Sequence, residues 1–181
     1  MNELETIRCM APCEDGVIRL RPIDERDEKT FLFIMGNKPA SVQKVLWKNA
    51  LFAEDAVTFA VDDAKTDMMV GYVTVKYLPM MSSVELGYEI IGNLQGKGYG
   101  TRALKEVLKI VALYFPEKKR IARVRADNFI SSHIILKLGG VKTGEEPSYF
   151  EELIEKYGEE FWGKYEDQLD NVRIWVYEFP T

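Results

Sequence analysis

The residues best suited to chemistry gather in one stretch, "VELGYEIIGNLQGKGYGT", residues 84–101. Gln95, Gly96, Lys97, Gly98, Tyr99, Gly100 and Thr101 form a glycine-rich turn between an apolar strand pattern and a helical one. Such a turn can bind an anion, because the first amides of a helix lack internal partners, the helix dipole is positive there, and glycine lets the backbone come close. Spacing selects among the known patterns. The dinucleotide fingerprint G-x-G-x-x-G fits Gly96 and Gly98 but finds Thr101 where its third glycine belongs. The P-loop pattern fails because Gly92 and Gly96 enclose only three residues and Gly98 follows Lys97. What fits is Gln-x-x-Gly-x-Gly, at Gln95, Gly98 and Gly100. Just upstream, Glu85 and Glu89 fall on one face of a regular strand. The single histidine, His133, has no nucleophile arrangement around it and reads as a helix-face residue. Cys9 and Cys13 form an isolated C-x3-C pair, which argues for reduced thiols and no metal site.

The elements that must position these residues follow from periodicity. A strand pattern covers 17–23, and Asp24 caps a helix that runs to the stop signal Gly36-Asn37. A second helix spans Pro39 to Phe52, and strands around 57–63, 69–78 and 82–91 form a meander. From Tyr99 to Phe115, Ala103, Leu104, Val107, Leu108 and Val111 form an apolar stripe, with Arg102, Lys105, Glu106 and Lys109 assigned to the other face. A strand at 120–126, a helix over 128–140 closed by Gly139-Gly140, and a last strand at 172–179 complete the order. Residues 1–16 read as a polar leader to a single domain covering 1–181. A formal net charge of −5 argues against nucleic acid as a partner. The absence of a long apolar run or a signal-like N-terminus predicts a cytoplasmic protein that does not enter the membrane.

A second motif makes the glycine turn specific. In "RVRADNFISSHIILKLGG", Asn128, Ser131, Ile134, Ile135, Lys137, Gly139 and Gly140 match N-x-x-S-x-x-[VI]-[LIV]-x-K-x-G-[FG]. Together with Gln95, Gly98 and Gly100, this resembles the GCN5-related N-acetyltransferase (GNAT) family, and looks closest to its ribosomal-protein N-terminal acetyltransferase branch. The resemblance implies an α/β (α+β) fold: a mixed, mostly antiparallel sheet with helices on both faces, splayed beside the third meander strand to admit acetyl-coenzyme A. It implies that the amides of Gly96 to Thr101 receive the pyrophosphate and that the backbone of Ile90 and Ile91 pairs with the pantetheine arm. The resemblance also implies that Asn128 reaches that arm, where its residue type alone gives a helix cap, and that Lys97 and Lys137 approach phosphate, where the alternative is solvated surface lysine.

The same resemblance implies direct attack by an amine on the acetyl thioester, with no metal. An alkylammonium is almost fully protonated at neutral pH, so a base must act. Glu85 is the first choice through water and Glu89 the second; a strand bulge, common in the family, would redirect one of them. Many relatives place a thiolate-protonating tyrosine where this chain has Ile135. Ser131 matches a serine that some relatives place near the thioester sulfur, so the resemblance implies it as the donor, the alternative being a first-turn serine that bonds local backbone. Residues 145–170 carry ten acidic residues against two lysines, with aromatic residues interleaved. As an acceptor-side rim they would attract a cationic amine: a protein N-terminus, a polyamine or an aminoglycoside. The expected partners are therefore acetyl-coenzyme A and an amine acceptor, with a homodimer left open. Two functions remain, an active N-acetyltransferase and a non-catalytic acyl-coenzyme A sensor or scaffold.

Overall fold

The computed structural model describes residues 3–36, 38–146 and 173–180. The chain divides into two compact units, residues 1–120 with 181, and residues 121–180. The first contains an antiparallel run of strands β1 (Cys13–Glu14), β2 (Ile18–Pro22), β3 (Ala56–Asp63), β4 (Met69–Leu78) and β5 (Ser83–Ile90), in that order.

Register makes the two faces of this run distinct. Phe59, Val73 and Tyr88 are opposite one another, as are Val57, Val75 and Leu86. All but Tyr88 are fully buried, beneath helix α4 (Tyr99–Tyr114), whose Ala103, Leu104, Val107, Ile110 and Val111 form the facing stripe. A 3.6-residue period keeps those side chains on one side of the helix. The opposite face carries helices α2 (Glu28–Ile34) and α3 (Ala40–Phe52), whose Phe31 and Trp47, with Met35 at the end of α2, pack with Ala60, Met69 and Tyr72. Phe31 anchors that layer, with its ring 5.3 Å from Trp47 and 4.9 Å from Tyr72.

Asp24 begins the α2 region as expected, with a capping box in which Asp24 accepts the Arg26 amide and Asp27 accepts the Asp24 amide. Beneath it lies a charge cluster with no sequence signature: Arg21 donates to Asp27 at 2.7 and 2.8 Å and to Asp62 at 2.7 and 3.1 Å. Asp27 and then Asp62 hold the Arg21 guanidinium in its charged form. The cluster ties β2 and β3 to the turn before α2.

The polar-leader reading of residues 1–16 is corrected. Glu3–Arg8 is helix α1, which buries Leu4 and Ile7 completely or nearly so, and Cys13–Glu14 pairs with β2. Glu106 is also corrected: it is 7% exposed, flanks the buried stripe and accepts from Lys109 at 2.6 Å.

The second unit holds β6 (Lys119–Arg125), most of which lies in it, helix α5 (Phe129–Lys137), and the antiparallel pair β7 (Val141–Glu146) and β8 (Ile174–Phe179). Strand β7 was not expected. Within the acidic stretch 145–170, only Glu145 and Glu146 are described, and Asn37 of the Gly36-Asn37 stop signal also lies outside the described residues. Among the described residues, no helix is long and apolar enough to cross a membrane.

Candidate active site

Strand β5 runs into a short turn, Gly92–Leu94, and then into the glycine turn. Gly98 is the N-cap of α4 and has φ +86°, a left-handed conformation that side chains resist and glycine accepts. The Arg102 amide donates to the Gly98 carbonyl at 3.1 Å and closes the first helical turn. The amides of Tyr99, Gly100 and Thr101 therefore face out of the helix start, and the N-cap, a glycine, has no side chain to cap them. A Cβ built at Gly96 or Gly98 would meet nothing within 4 Å among the described residues, so no side-chain packing requires glycine at either. Gly100 serves packing instead: a Cβ there would approach the Tyr88 ring to 2.8 Å.

Two side-chain bonds fix the turn. Gln95 Nε2 donates to the Ile90 carbonyl at 3.0 Å, which joins the end of β5 to the loop. The Tyr99 hydroxyl donates to Asp63 at 2.6 Å and anchors the start of α4 to the β3–β4 turn; this bond holds the Asp63 carboxyl below its usual range. Gln95 and Tyr99 thus organise the cradle through their side chains. Lys97 is exposed beside it.

The backbone role expected of Ile91 is corrected. Its amide donates to the Val70 carbonyl at 3.0 Å, and its carbonyl accepts from Leu94 at 2.8 Å. Antiparallel alternation then turns the amide and carbonyl of Ile90 away from β4. Gln95 already occupies the Ile90 carbonyl, so of these two residues only the Ile90 amide is directed outward for an added strand.

The expected bulge is likewise absent from β5, whose register against β4 is unbroken from Ser83 to Ile90; the irregularity lies between Val61 and Asp62 of β3. Glu85 and Glu89 therefore share one face, opposite Lys76 and Tyr72 respectively. Although Glu89 is exposed as a residue, loss of hydration pushes its carboxyl pKa up, and the nearby Lys38 charge opposes that rise only in part. Tyr72 is raised too, by burial first and then by the Glu89 charge. A carboxyl with a raised pKa is a stronger base once ionised.

In the second unit Asn128 is the N-cap of α5, its Oδ1 accepting the Ser131 amide at 3.0 Å. Ser131 is half-buried and Lys137 is exposed. Ile135 is 1% exposed and packs against Gly140, where a Cβ would come within 2.5 Å of its Cγ2. His133 is exposed on the same helix.

A cleft of about 360 Å³, lined by Glu3, Asp55, Tyr77, Phe115 and Lys118 among others, lies at the other end of α4. At 1.5 Å per residue, that helix separates it from the glycine turn by roughly 24 Å. It plays no part in the cradle.

An uncapped helix start after a glycine turn is an arrangement suited to binding an anion, and the family is given by likeness to known proteins. The acetyltransferase (GNAT) domain profile matches residues 17–141, and the chain belongs to that family. Its fold is the expected one, a mixed, mostly antiparallel sheet flanked by helices. A spermidine N-acetyltransferase (SpeG) variant from Vibrio cholerae is similar in structure, with a TM-score of 0.66 at 16% identity, over 88% of this chain and 93% of that one. A GNAT-family acetyltransferase from Bacillus anthracis gives a TM-score of 0.69 at 14% identity, over 93% and 98%. No curated protein matches the sequence.

Proposed function

We propose that residues 1–181 act as one acetyl-coenzyme A-dependent N-acetyltransferase domain whose acceptor is a primary amine. The observation that carries this reading is the uncapped start of α4, where Tyr99, Gly100 and Thr101 present three amides behind the left-handed Gly98. A pyrophosphate needs such a cradle, and the residues present fit it. Gly96 to Thr101 hold the phosphates, the Ile90 amide meets the pantetheine arm, and Gln95 keeps the loop in place. Lys97, exposed beside the turn, supplies positive charge, and the family resemblance adds Asn128 and Lys137 of the second unit as candidate cofactor contacts.

Bound acetyl-coenzyme A supplies a thioester carbonyl carbon that takes the new C–N bond as its C–S bond breaks, with the electron pair leaving on sulfur. The chain's residues handle the protons. Glu89 takes a proton from the alkylammonium, directly or through one water, and frees the nitrogen lone pair. The upward shift of its carboxyl pKa supports Glu89 in this role, beside Glu85, the first candidate on sequence grounds. Ser131, half-buried in the first turn of α5, is the hydroxyl assigned to the leaving thiolate.

For the acceptor, the motif likeness to ribosomal-protein N-terminal acetyltransferases supports a protein N-terminus, and the likeness to spermidine N-acetyltransferases supports a polyamine. The second reading, a non-catalytic acyl-coenzyme A binder, is favoured by the core placement of Ile135 where many relatives carry a tyrosine. Calorimetry with acetyl-coenzyme A, and with acetyl-pantetheine lacking the pyrophosphate, tests the cradle. The full cofactor should bind at least tenfold more tightly, a difference of about 1.4 kcal/mol. Equal affinities refute the assignment.

A further inference from the structure

Gly87 stands in the middle of β5 without a structural reason to be glycine. Glycine within a strand weakens it, and often marks a place where a ligand or another backbone comes close. The usual structural demands are absent. Gly87 is not in a positive-φ conformation, its register with Thr74 is unbroken, and a Cβ built on it would meet nothing within 4 Å among the described residues. Gly71, the glycine within β4, shows the contrast: a Cβ there would come within 2.3 Å of the Glu89 carbonyl.

The surroundings indicate what the space is for. Gly87 lies in one row with Thr74 and Thr58, whose hydroxyls are 3.4 Å apart. In the neighbouring row the helix layer packs Phe31 onto Tyr72, the residue opposite Glu89, while Glu89 and Gly87 stay exposed. On this face Glu85 and Glu89 flank Gly87, each about 6.6 Å away along the strand. The bond of Ile91 to Val70 fixes the alternation and commits the amide and carbonyl of Gly87 to Thr74. The position therefore offers room, and the carboxylates offer charge.

We infer that Gly87 is the floor of the acceptor subsite, where the bare backbone lets a primary alkylammonium settle between Glu85 and Glu89. This deepens the acetyltransferase reading and rests on it. A methyl group at residue 87 would stand up into the slot and lift the amine off the strand, while the fold itself would accept the side chain.

Gly87→Ala and Gly87→Val test this, with spermidine and a peptide with a free N-terminus as acceptor probes. Both variants should melt at or above the wild-type temperature and bind acetyl-coenzyme A within twofold of it. Their kcat/KM for the amine should fall roughly tenfold for alanine and a hundredfold for valine, the scale of added methyl groups in a fitted pocket. Which probe the wild-type protein acetylates identifies the source of the amine. The inference is overturned if Gly87→Val keeps kcat/KM within twofold, or if its melting temperature or cofactor affinity falls in step with activity. It is also overturned if wild-type protein binds acetyl-coenzyme A but acetylates neither probe. Failure of the underlying acetyltransferase reading looks different: no acetyl-coenzyme A binding by the wild-type protein, which overturns both.

Discussion

Replacing Glu89 with glutamine removes the proposed base while keeping its shape and its place opposite Tyr72. Loss of hydration raises the Glu89 carboxyl above the ordinary value of about 4.3, and Lys38 opposes the rise in part. Only the ionised form accepts a proton, so wild-type kcat/KM should climb with pH through a limb lying above the usual carboxylate range. In Glu89→Gln that limb should vanish and the plateau should fall roughly a hundredfold, the low end for a lost general base and about 2.7 kcal/mol of barrier. Stability should move the other way. A carboxyl raised in the folded state makes the protein less stable as pH rises from the unfolded to the folded pKa, because the folded form holds a proton that the unfolded form has released. Above that window the variant should therefore be at least as stable as wild type. Lys38→Met provides a second arm: without the opposing charge, the acid limb should shift to higher pH. The assay is thiol release from acetyl-coenzyme A over a range of amine concentrations at each pH, with urea melts of the same samples. A plateau drop below about threefold, with the limb still present, refutes Glu89 as the base.

Three further outcomes follow from packing and charge. Gly100→Ala should lose about 1–3 kcal/mol of stability, read by urea denaturation, because its Cβ would meet the Tyr88 ring at 2.8 Å; an unchanged midpoint would show that the ring moves freely. Arg21→Met leaves Asp27 and Asp62 buried without their cation and should cost about 3–5 kcal/mol at neutral pH; a loss under 1 kcal/mol would mean that the cluster does not hold β2 to β3. Ser131→Ala should lower turnover roughly ten- to a hundredfold with little change in melting, since the α5 cap is the Asn128 side chain bonding the Ser131 amide, which alanine retains; full activity would remove the hydroxyl from the mechanism.

The fold was legible where the chain repeats a period. The β3–β5 meander, α3 and α4 lie within about two residues of their expected bounds because long apolar patterns override local ambiguity. Helix α1 was missed because Leu4 and Ile7 are its only buried residues, and two apolar positions in a six-residue helix set no period. Strand β7, "VKTGEE", is too polar to read as a strand, and its pairing with β8 is a long-range contact. Glu106 was misassigned because its residue type suggested solvent, whereas its place three residues after Ala103 and four before Ile110 puts it beside the buried stripe. The glycine turn was legible as an anion cradle, but the division of labour within it was not. Gly98 answers to conformation and Gly100 to the Tyr88 ring, and that difference depends on coordinates. The same holds for Ile91, whose backbone is committed to Val70 and Leu94 through contacts that a strand pattern does not reveal.

The most direct test of the account is to mix the protein with acetyl-coenzyme A and a panel of primary amines, spermidine and N-terminally free peptides among them, and to follow free thiol and amine mass together. The account predicts that one amine gains a single acetyl group for each thiol released, over many turnovers, and that both signals disappear in a Gly98→Val variant that remains folded. Tight binding of acetyl-coenzyme A with neither thiol release nor an acetylated amine would contradict the claim of catalysis and leave the chain an acyl-coenzyme A binder.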